Sequence, residues 1–237
     1  MFLATRSEFA DVWLLALLVI WGALLSSSTE RRRVASAPQL RLASSAILVL
    51  AAWTWYLVAR ATSGVSLFAL LVAVGMTFGL LGDLLLADAL PVKQGFLAGI
   101  AAFALGHITY IAAILSLTPH IQLAVEGAAL LLALAGWYLV IFRGAEATAL
   151  RWAALPYAFL LATTAGVAVG LAIQAPTFLP LAIGAALFLV SDLLVAGERF
   201  GGWRFHHLGD AVWLTYGPAQ MLIVYAVNSA LVVAGAR

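Results

Sequence analysis

The sequence predicts an all-α polytopic membrane protein with eight transmembrane helices. Of its 237 residues, 65% are hydrophobic and only 9% are charged, whereas a soluble domain carries about 25% charged residues. The mean hydropathy is +1.10, and the apolar residues fall into runs near the length of roughly 20 residues that crosses a bilayer as a helix. A chain of this composition cannot cover its surface with polar groups, so it requires a lipid environment.

The eight predicted helices are separated by charged residues or by Pro and Gly. Linkers such as 61–63 and 175–176 leave room only for tight antiparallel hairpins, so we predict a single integral membrane domain over 1–237. The first apolar run resembles a signal peptide, but no small-x-small site closes it, and we expect it to be retained. The predicted helices cover about residues 10–27, 42–59, 64–87, 95–117, 121–142, 152–173, 177–197 and 211–234.

The Lys and Arg residues of the connecting segments predict the orientation of the helices. With the N-terminus outside, the inside loops hold nine of these residues and the outside segments hold three. Both termini are therefore expected outside, in what we take to be a bacterial inner (cytoplasmic) membrane. The basic loop 26–41 is explained by this topology and by attraction to anionic lipid.

Two function classes are excluded by composition. The absence of cysteine removes disulfides, thiol catalysis and Cys-based zinc sites. No basic run is interleaved with aromatic residues, so nucleic acid is not an expected partner. The oligomeric state is not indicated by the sequence.

Two aspartates lie inside apolar runs. Asp83 is followed 24 residues later by His107, and Asp192 is followed 24 residues later by Tyr216. A charge in hydrocarbon costs about 2.5–3.5 kcal/mol on insertion scales, so such residues usually face a bundle interior or a wet cavity. We interpret the repeated spacing as two parallel four-helix halves, each of which directs an acid and a polar ring to one shared site. These residues all fall in the predicted inner half of the bilayer, which suggests a cavity open to the cytoplasmic leaflet.

Paired buried carboxyl groups are typical of acid/base catalysis. Desolvation and a nearby like charge both favour the neutral form, so we expect one of Asp83 and Asp192 to be protonated and the other ionised. The alternative is structural, with each acid bonded to a neighbouring helix or a buried Arg, although few buried cations exist here.

Four further polar residues form two pairs, and the members of each pair lie on the same face of one predicted helix. His107 and Tyr110 are at positions i and i+3, and Tyr216 and Gln220 are at i and i+4. Their functional interpretation is to orient an acid, exchange its proton or donate to a substrate oxygen. Hydrogen bonding between helices explains them nearly as well.

The predicted inside loops carry candidates for binding a phosphate headgroup. A positive-inside loop with an aromatic belt explains the same residues. Adjacent histidines in a loop, without His-x₃-His or Cys ligands, do not predict a zinc site. The candidates are Lys93, Arg199, Arg204, His206 and His207.

Four short motifs occur in order along predicted helices three, four, seven and eight. They are Gly-Asp-x-x-Leu at 82–86, Gly-His-x-x-Tyr at 106–110, Ser-Asp-x-x-x-Ala at 191–196 and Tyr-x-x-x-Gln at 216–220. Over roughly 75–225, this order resembles the YhhN-like lysoplasmalogenase family of membrane enzymes. The resemblance implies hydrolysis of the vinyl ether bond of a lysoplasmalogen to a fatty aldehyde and glycerophosphoethanolamine or glycerophosphocholine.

The same resemblance implies roles for individual residues and partners. Asp83 and Asp192 would be the catalytic acids, and His107 and Tyr110 would support them. A lysophospholipid substrate and membrane lipid would be the partners, and no metal or organic cofactor would be required. The alternative is a proton-coupled lipid or small-molecule transporter that uses the same pair of aspartates. A third interpretation is a structural membrane protein whose polar residues only pack helices.

Overall fold

The structure of the protein, a computed structural model, describes residues 4–27, 37–118, 120–143 and 148–235. All regular elements within these residues are helical. A π-helical segment, Trp137–Phe142, extends the fifth long helix, and a 3₁₀ turn, Pro176–Phe178, leads into the seventh. The long helices are α1 (Ala4–Ser27), α2 (Ala37–Ala59), α3 (Ser66–Leu86), α4 (Gly95–Leu117), α5 (Leu123–Gly136), α6 (Ala149–Gln174), α7 (Leu179–Arg199) and α8 (Leu208–Gly235).

Seven of the described helices are long and apolar enough to cross a membrane. In α1, the described apolar stretch is shorter, Asp11–Ala23. Each of the eight predicted helices therefore corresponds to a helix of the structure, and seven of them have the length and hydropathy of a membrane span.

Several helices include charged residues that we predicted to lie just outside them. α2 begins at Ala37 rather than at 42, and α8 begins at Leu208 rather than at 211. These extra turns carry Arg41 and Asp210, whose side chains form an ion pair at 2.8 Å. The predicted bounds were wrong because they treated every charge as a break, whereas a paired charge can lie on a helical turn at the end of the bundle.

Helix packing repeats with a period of four helices. In one half α3 packs against α2 and α4, and in the other α7 packs against α6 and α8. The α1–α2 contact corresponds to the α5–α6 contact, and the contacts between the halves, α2–α8 and α4–α6, also correspond. Two parallel four-helix halves would produce such paired contacts.

α3 and α4 form the most extensive helix contact, and glycines lie where they meet. A Cβ placed on Gly75 would be 2.4 Å from Tyr110 Cε1, and one placed on Gly82 would be 2.6 Å from Phe103 Cε2. Small residues allow this close approach in membrane bundles, where van der Waals packing rather than the hydrophobic effect holds helices together. The packing of α3 against α4 fixes the position of the C-terminal part of α3, which carries Asp83.

We expect Gly75→Ala to lower the free energy of unfolding by about 1–3 kcal/mol, because the added methyl group must displace the ring of Tyr110. Gly127→Ala is the matched control, since no atom lies within 4 Å of a Cβ at that position. Denaturant unfolding in mild detergent, followed by Trp fluorescence, measures both variants. Equal stability of the two variants would contradict the close packing at Gly75.

α5 lies at the periphery of the bundle. None of its residues is buried, and it packs against α6 while making no extended contact with α4 within the described residues. α4 and α5 are neighbours in the chain but not in the bundle. A gap therefore separates the two helices within the described residues.

Candidate functional site

A cavity of about 430 Å³ lies at one end of the bundle. Its walls come from the first halves of α2, α4, α6 and α8 and from the last halves of α3, α5 and α7, together with the π-helical segment. These are the ends that the sequence predicts to be cytoplasmic. Most lining side chains are aliphatic or aromatic, and the volume lies in the range of about 300–1,000 Å³ found for small-molecule sites.

The Asp83 side chain, in the last turn of α3, is held by two other helices. Its Oδ2 accepts a hydrogen bond from Ser45 of α2 at 2.5 Å and another from Tyr216 of α8 at 2.9 Å. Within the described residues, no hydrogen bond reaches Oδ1. One carboxyl oxygen is thus fixed by the protein, and the other is available to a ligand.

The Asp192 side chain, on α7, has a single partner. Tyr157 of α6 donates a hydrogen bond to Oδ2, and no bond from the described part of the chain reaches Oδ1. Neither aspartate forms an ion pair with a described residue. Both carboxyl groups line the same apolar cavity, so the structure brings the two predicted acids to one site.

A chain of hydrogen bonds runs from Asp83 into the core. Gln220 Nε2 donates to the Tyr216 hydroxyl at 3.1 Å, and the Tyr110 hydroxyl donates to Gln220 Oε1 at 2.8 Å. Gln220 is fully buried and fits against Gly79, where a Cβ would lie 2.8 Å from Nε2. Every donor in this chain points toward Asp83 Oδ2, which is the arrangement that suits an ionised carboxylate.

Replacing Gln220 by Leu is expected to lower the free energy of unfolding by about 1–3 kcal/mol, because the buried hydroxyls of Tyr110 and Tyr216 each lose a partner. Gln94→Leu serves as the control, since Gln94 is exposed and makes no capping bond. We expect its effect to stay within about 0.5 kcal/mol in the same unfolding assay. A Gln220→Leu protein as stable as the wild type would show that the chain of hydrogen bonds does not hold α8 to α4.

The His107 side chain forms no hydrogen bond to either aspartate. Its Nδ1 lies 3.0 Å from Thr164 Oγ1 on α6, and that hydroxyl donates to the carbonyl of Leu160. Nδ1 is therefore the donor, and among the described residues the buried Nε2 has no hydrogen-bond partner. Although His107 and Tyr110 are close on α4, His107 bonds to α6 and Tyr110 bonds to α8.

None of the five residues predicted to bind a headgroup lines the cavity. The Arg199 guanidinium lies 4.7 Å above the ring of Phe96, which does line the cavity. His207 is 2.9 Å from Asp210, measured from Nδ1 to Oδ2. All five candidates are exposed: Lys93, Arg199, Arg204, His206 and His207. A headgroup role for these five stays a prediction.

Three residues of the site were absent from the sequence prediction. Ser45 and Tyr157 bond the two aspartates, and Arg41 lines the cavity wall on α2. Each is a polar side chain in the predicted inner part of an otherwise apolar helix, or at its inner end. Tyr216 was selected because it lies in the predicted inner half of the bilayer, and the same criterion applied to every helix would have found Ser45 and Tyr157.

The cavity extends into the gap between α4 and α5. Phe96 and Ile100 line it from α4, and Leu132 and Ala133 line it from α5. Beyond them the π-helical segment contributes Trp137, whose Nε1 donates to the Arg151 carbonyl at 2.8 Å. Segments of π-helix are frequent at functional sites. The cavity thus reaches the space between these two helices.

Comparison with known proteins relates most of the chain to one family. The model of the YhhN family matches residues 36–227. No curated protein and no solved structure matches the chain significantly. The matched range contains both aspartates and all the residues that line the cavity.

Proposed function

The chain belongs to the YhhN family, and we propose that it is a membrane-embedded hydrolase that cleaves the vinyl ether bond of lysoplasmalogens. Water and a 1-alkenyl-glycerophospholipid would give a fatty aldehyde and glycerophosphoethanolamine or glycerophosphocholine. The observation that carries the proposal is the pair of aspartates without ion-pair partners among the described residues, which open onto one apolar cavity. Such a pair suits a reaction that needs an acid and a base in a site with little water.

The hydrogen bonds support a division of roles between the two acids. Asp83 Oδ2 accepts two hydrogen bonds, whereas Asp192 accepts one. More donors to a carboxylate favour its ionised form. We therefore assign the base to Asp83 and the protonated general acid to Asp192.

The reaction begins with proton transfer to carbon. The Asp192 carboxyl group protonates the β-carbon of the vinyl ether, and the double-bond electrons form that C–H bond. The resulting oxocarbenium ion is stabilised by the Asp83 carboxylate. Water attacks its carbon while Asp83 takes a proton from the water, which gives a hemiacetal.

Collapse of the hemiacetal returns both aspartates to their starting protonation states. Asp83 returns its proton to the ether oxygen, the C–O bond breaks, and the Asp192 carboxylate takes the proton of the hemiacetal hydroxyl. The aldehyde and the glycerol hydroxyl are thereby formed. One water molecule is consumed, and each aspartate ends in its starting protonation state.

The shape of the cavity suits an amphiphile. Its apolar walls include residues of both α4 and α5, between which a hydrocarbon chain would lie, and Arg41 lines it from near the start of α2. The cavity end of the bundle carries Arg41, Lys93, Arg143, Arg151, Arg199 and Arg204, which supports a cytoplasmic location for it by the positive-inside rule. The proposed setting is the inner membrane of a bacterium, with both termini outside.

The proposal is tested by aldehyde release from a lysoplasmalogen by the purified protein in detergent. Wild-type protein is expected to release aldehyde without any ion gradient. A lysophospholipid with an ester in place of the vinyl ether is the control substrate and should give no aldehyde. Gradient-dependent uptake of a lipid into liposomes, without product, would instead support the transporter.

A further inference from the structure

Arg41 is a charged residue within the wall of the cavity. It lies on the same stripe of α2 as Pro38 and Ser45, and all three line the cavity. The Ser45 hydroxyl donates one of the two hydrogen bonds to Asp83 Oδ2. A single helix face therefore connects a guanidinium group to one of the two catalytic acids.

The Arg41 guanidinium has hydrogen-bonding capacity that the protein leaves unused. One nitrogen, Nη2, donates to Asp210 Oδ1 at 2.8 Å. Within the residues that the structure describes, the buried Nε has no hydrogen-bond partner. A buried donor without a partner is unfavourable, and a guanidinium presents its donors in a planar fork that matches two oxygens of a phosphate group. The unused edge suits an oxyanion.

The surroundings of Arg41 hold it in place and add positive potential. Asp210 accepts from Arg41 through Oδ1 and lies 2.9 Å from His207 through Oδ2. A Cβ on Gly209 would be 3.5 Å from Arg41 Nη1, so the guanidinium lies over the first turn of α8. The N-terminus of a helix favours a nearby anion. Arg199 adds a second positive charge beside Phe96, a residue of the cavity wall.

The spacing along α2 matches that of a lysophospholipid. In a 1-alkenyl lysophospholipid, roughly seven bonds separate the phosphorus from the carbon that is protonated, which is about 9 Å in an extended chain. Arg41 precedes Ser45 by one helical turn, or about 6 Å, and its long side chain adds to that separation. A phosphate at Arg41 would leave the vinyl ether beside the aspartates.

We infer that Arg41, held by Asp210, binds the phosphodiester group of a lysophospholipid at the end of the cavity; the assignment rests on the proposed function for the position of the reacting bond. Asp210 and His207 act as positioning residues, since they bond Arg41 or its partner rather than the lipid. The phosphate then sets how far the chain enters the cavity.

Binding of two non-reacting lipids tests the assignment. A 1-alkyl lysophosphatidylethanolamine has phosphate but no vinyl group, and a 1-alkylglycerol has neither. Trp137 and Trp213 line the cavity, so quenching of Trp fluorescence reports binding. We expect the wild type to bind the phospholipid about tenfold or more tightly than the alkylglycerol, and Arg41→Gln to lose that preference, as removal of a charge-assisted hydrogen bond predicts.

Arg60→Gln is the matched control, since Arg60 is exposed just beyond the opposite end of the same helix. It should keep the wild-type preference. If Arg41→Gln fails to fold because Asp210 loses its ion pair with Arg41, the double variant Arg41→Gln/Asp210→Asn removes both charges and should also lose the preference. Retention of the preference by a folded variant without Arg41 would overturn the assignment.

Two further results separate this assignment from its alternatives. Glycerophosphoethanolamine, which lacks the chain, is expected to bind far more weakly than the lipid; equal binding would overturn a lysophospholipid as the ligand. Since the binding assay needs no turnover, a wild type that prefers the phospholipid yet releases no aldehyde would retain the Arg41 site and reject the proposed hydrolysis. Aldehyde release by a wild type that shows no preference for the phospholipid would support the proposed hydrolysis and reject the Arg41 site.

Discussion

Asp192→Asn is expected to lower kcat for lysoplasmalogen hydrolysis by about 10²–10⁴-fold, the usual contribution of a general acid. The amide keeps the size of the side chain and an oxygen that can accept from Tyr157, but it cannot protonate carbon. Its residual rate should rise as the pH falls, because hydronium then supplies the proton that the carboxyl group no longer provides. Rates of aldehyde release across a pH series measure both effects.

The matched control for this change is Asp88→Asn. Asp88 is exposed just after α3 and has a positive φ of 53°, a conformation that Asn adopts as readily as Asp. This variant should retain wild-type kcat and stability. If a folded Asp192→Asn protein hydrolysed the substrate at the wild-type rate, Asp192 would not be the acid.

Asp83→Asn is expected to lower kcat by about 10²–10³-fold, the size of effect seen when electrostatic stabilisation of a transition state is removed. The change removes the negative charge that stabilises the oxocarbenium ion and the base that activates water. Because the acid at Asp192 is still present, the residual rate should not rise as the pH falls in the way expected for Asp192→Asn.

The contrast between the two pH series tests the division of roles. A residual rate that rises with acid in Asp83→Asn, and not in Asp192→Asn, would exchange the assignments of acid and base. Tyr216→Phe removes one donor to Asp83 and keeps the carboxylate, so a smaller loss of kcat than that of Asp83→Asn is expected. An equal loss would mean that Tyr216 itself takes part in the reaction.

The helices, and the two aspartates that lie within them, could be predicted from the sequence because both depend on properties of a single helix. Length and hydropathy define a span, and a lone Asp in an apolar run stands out. The common depth of these residues predicted a shared cavity, but the spacing paired Tyr216 with Asp192, whereas its hydroxyl bonds Asp83. Helix bounds were less accurate wherever a charge such as Arg41 lay on the first turns of a helix and was paired across the bundle.

Side-chain partners could not be predicted, because they depend on the rotation of one helix relative to the next. Residues three apart on a helix differ by about 60° around its axis, which is enough for His107 to reach Thr164 while Tyr110 reaches Gln220. Periodicity within α4 shows that the two are neighbours and says nothing about which helix each one faces. Ser45 and Tyr157 could have been selected by depth, but not the aspartate that each one bonds.

The loose attachment of α5 has a consequence for how a reaction in this cavity would finish. Hydrolysis of a lysoplasmalogen converts one amphiphile into an oily molecule and a water-soluble one. The cavity reaches the gap between α4 and α5, and the end that carries Arg41 and Asp210 lies at the predicted water interface. We expect the aldehyde to leave through the gap into lipid and the soluble product to leave at that end into water. This partitioning would separate the products and oppose their recombination.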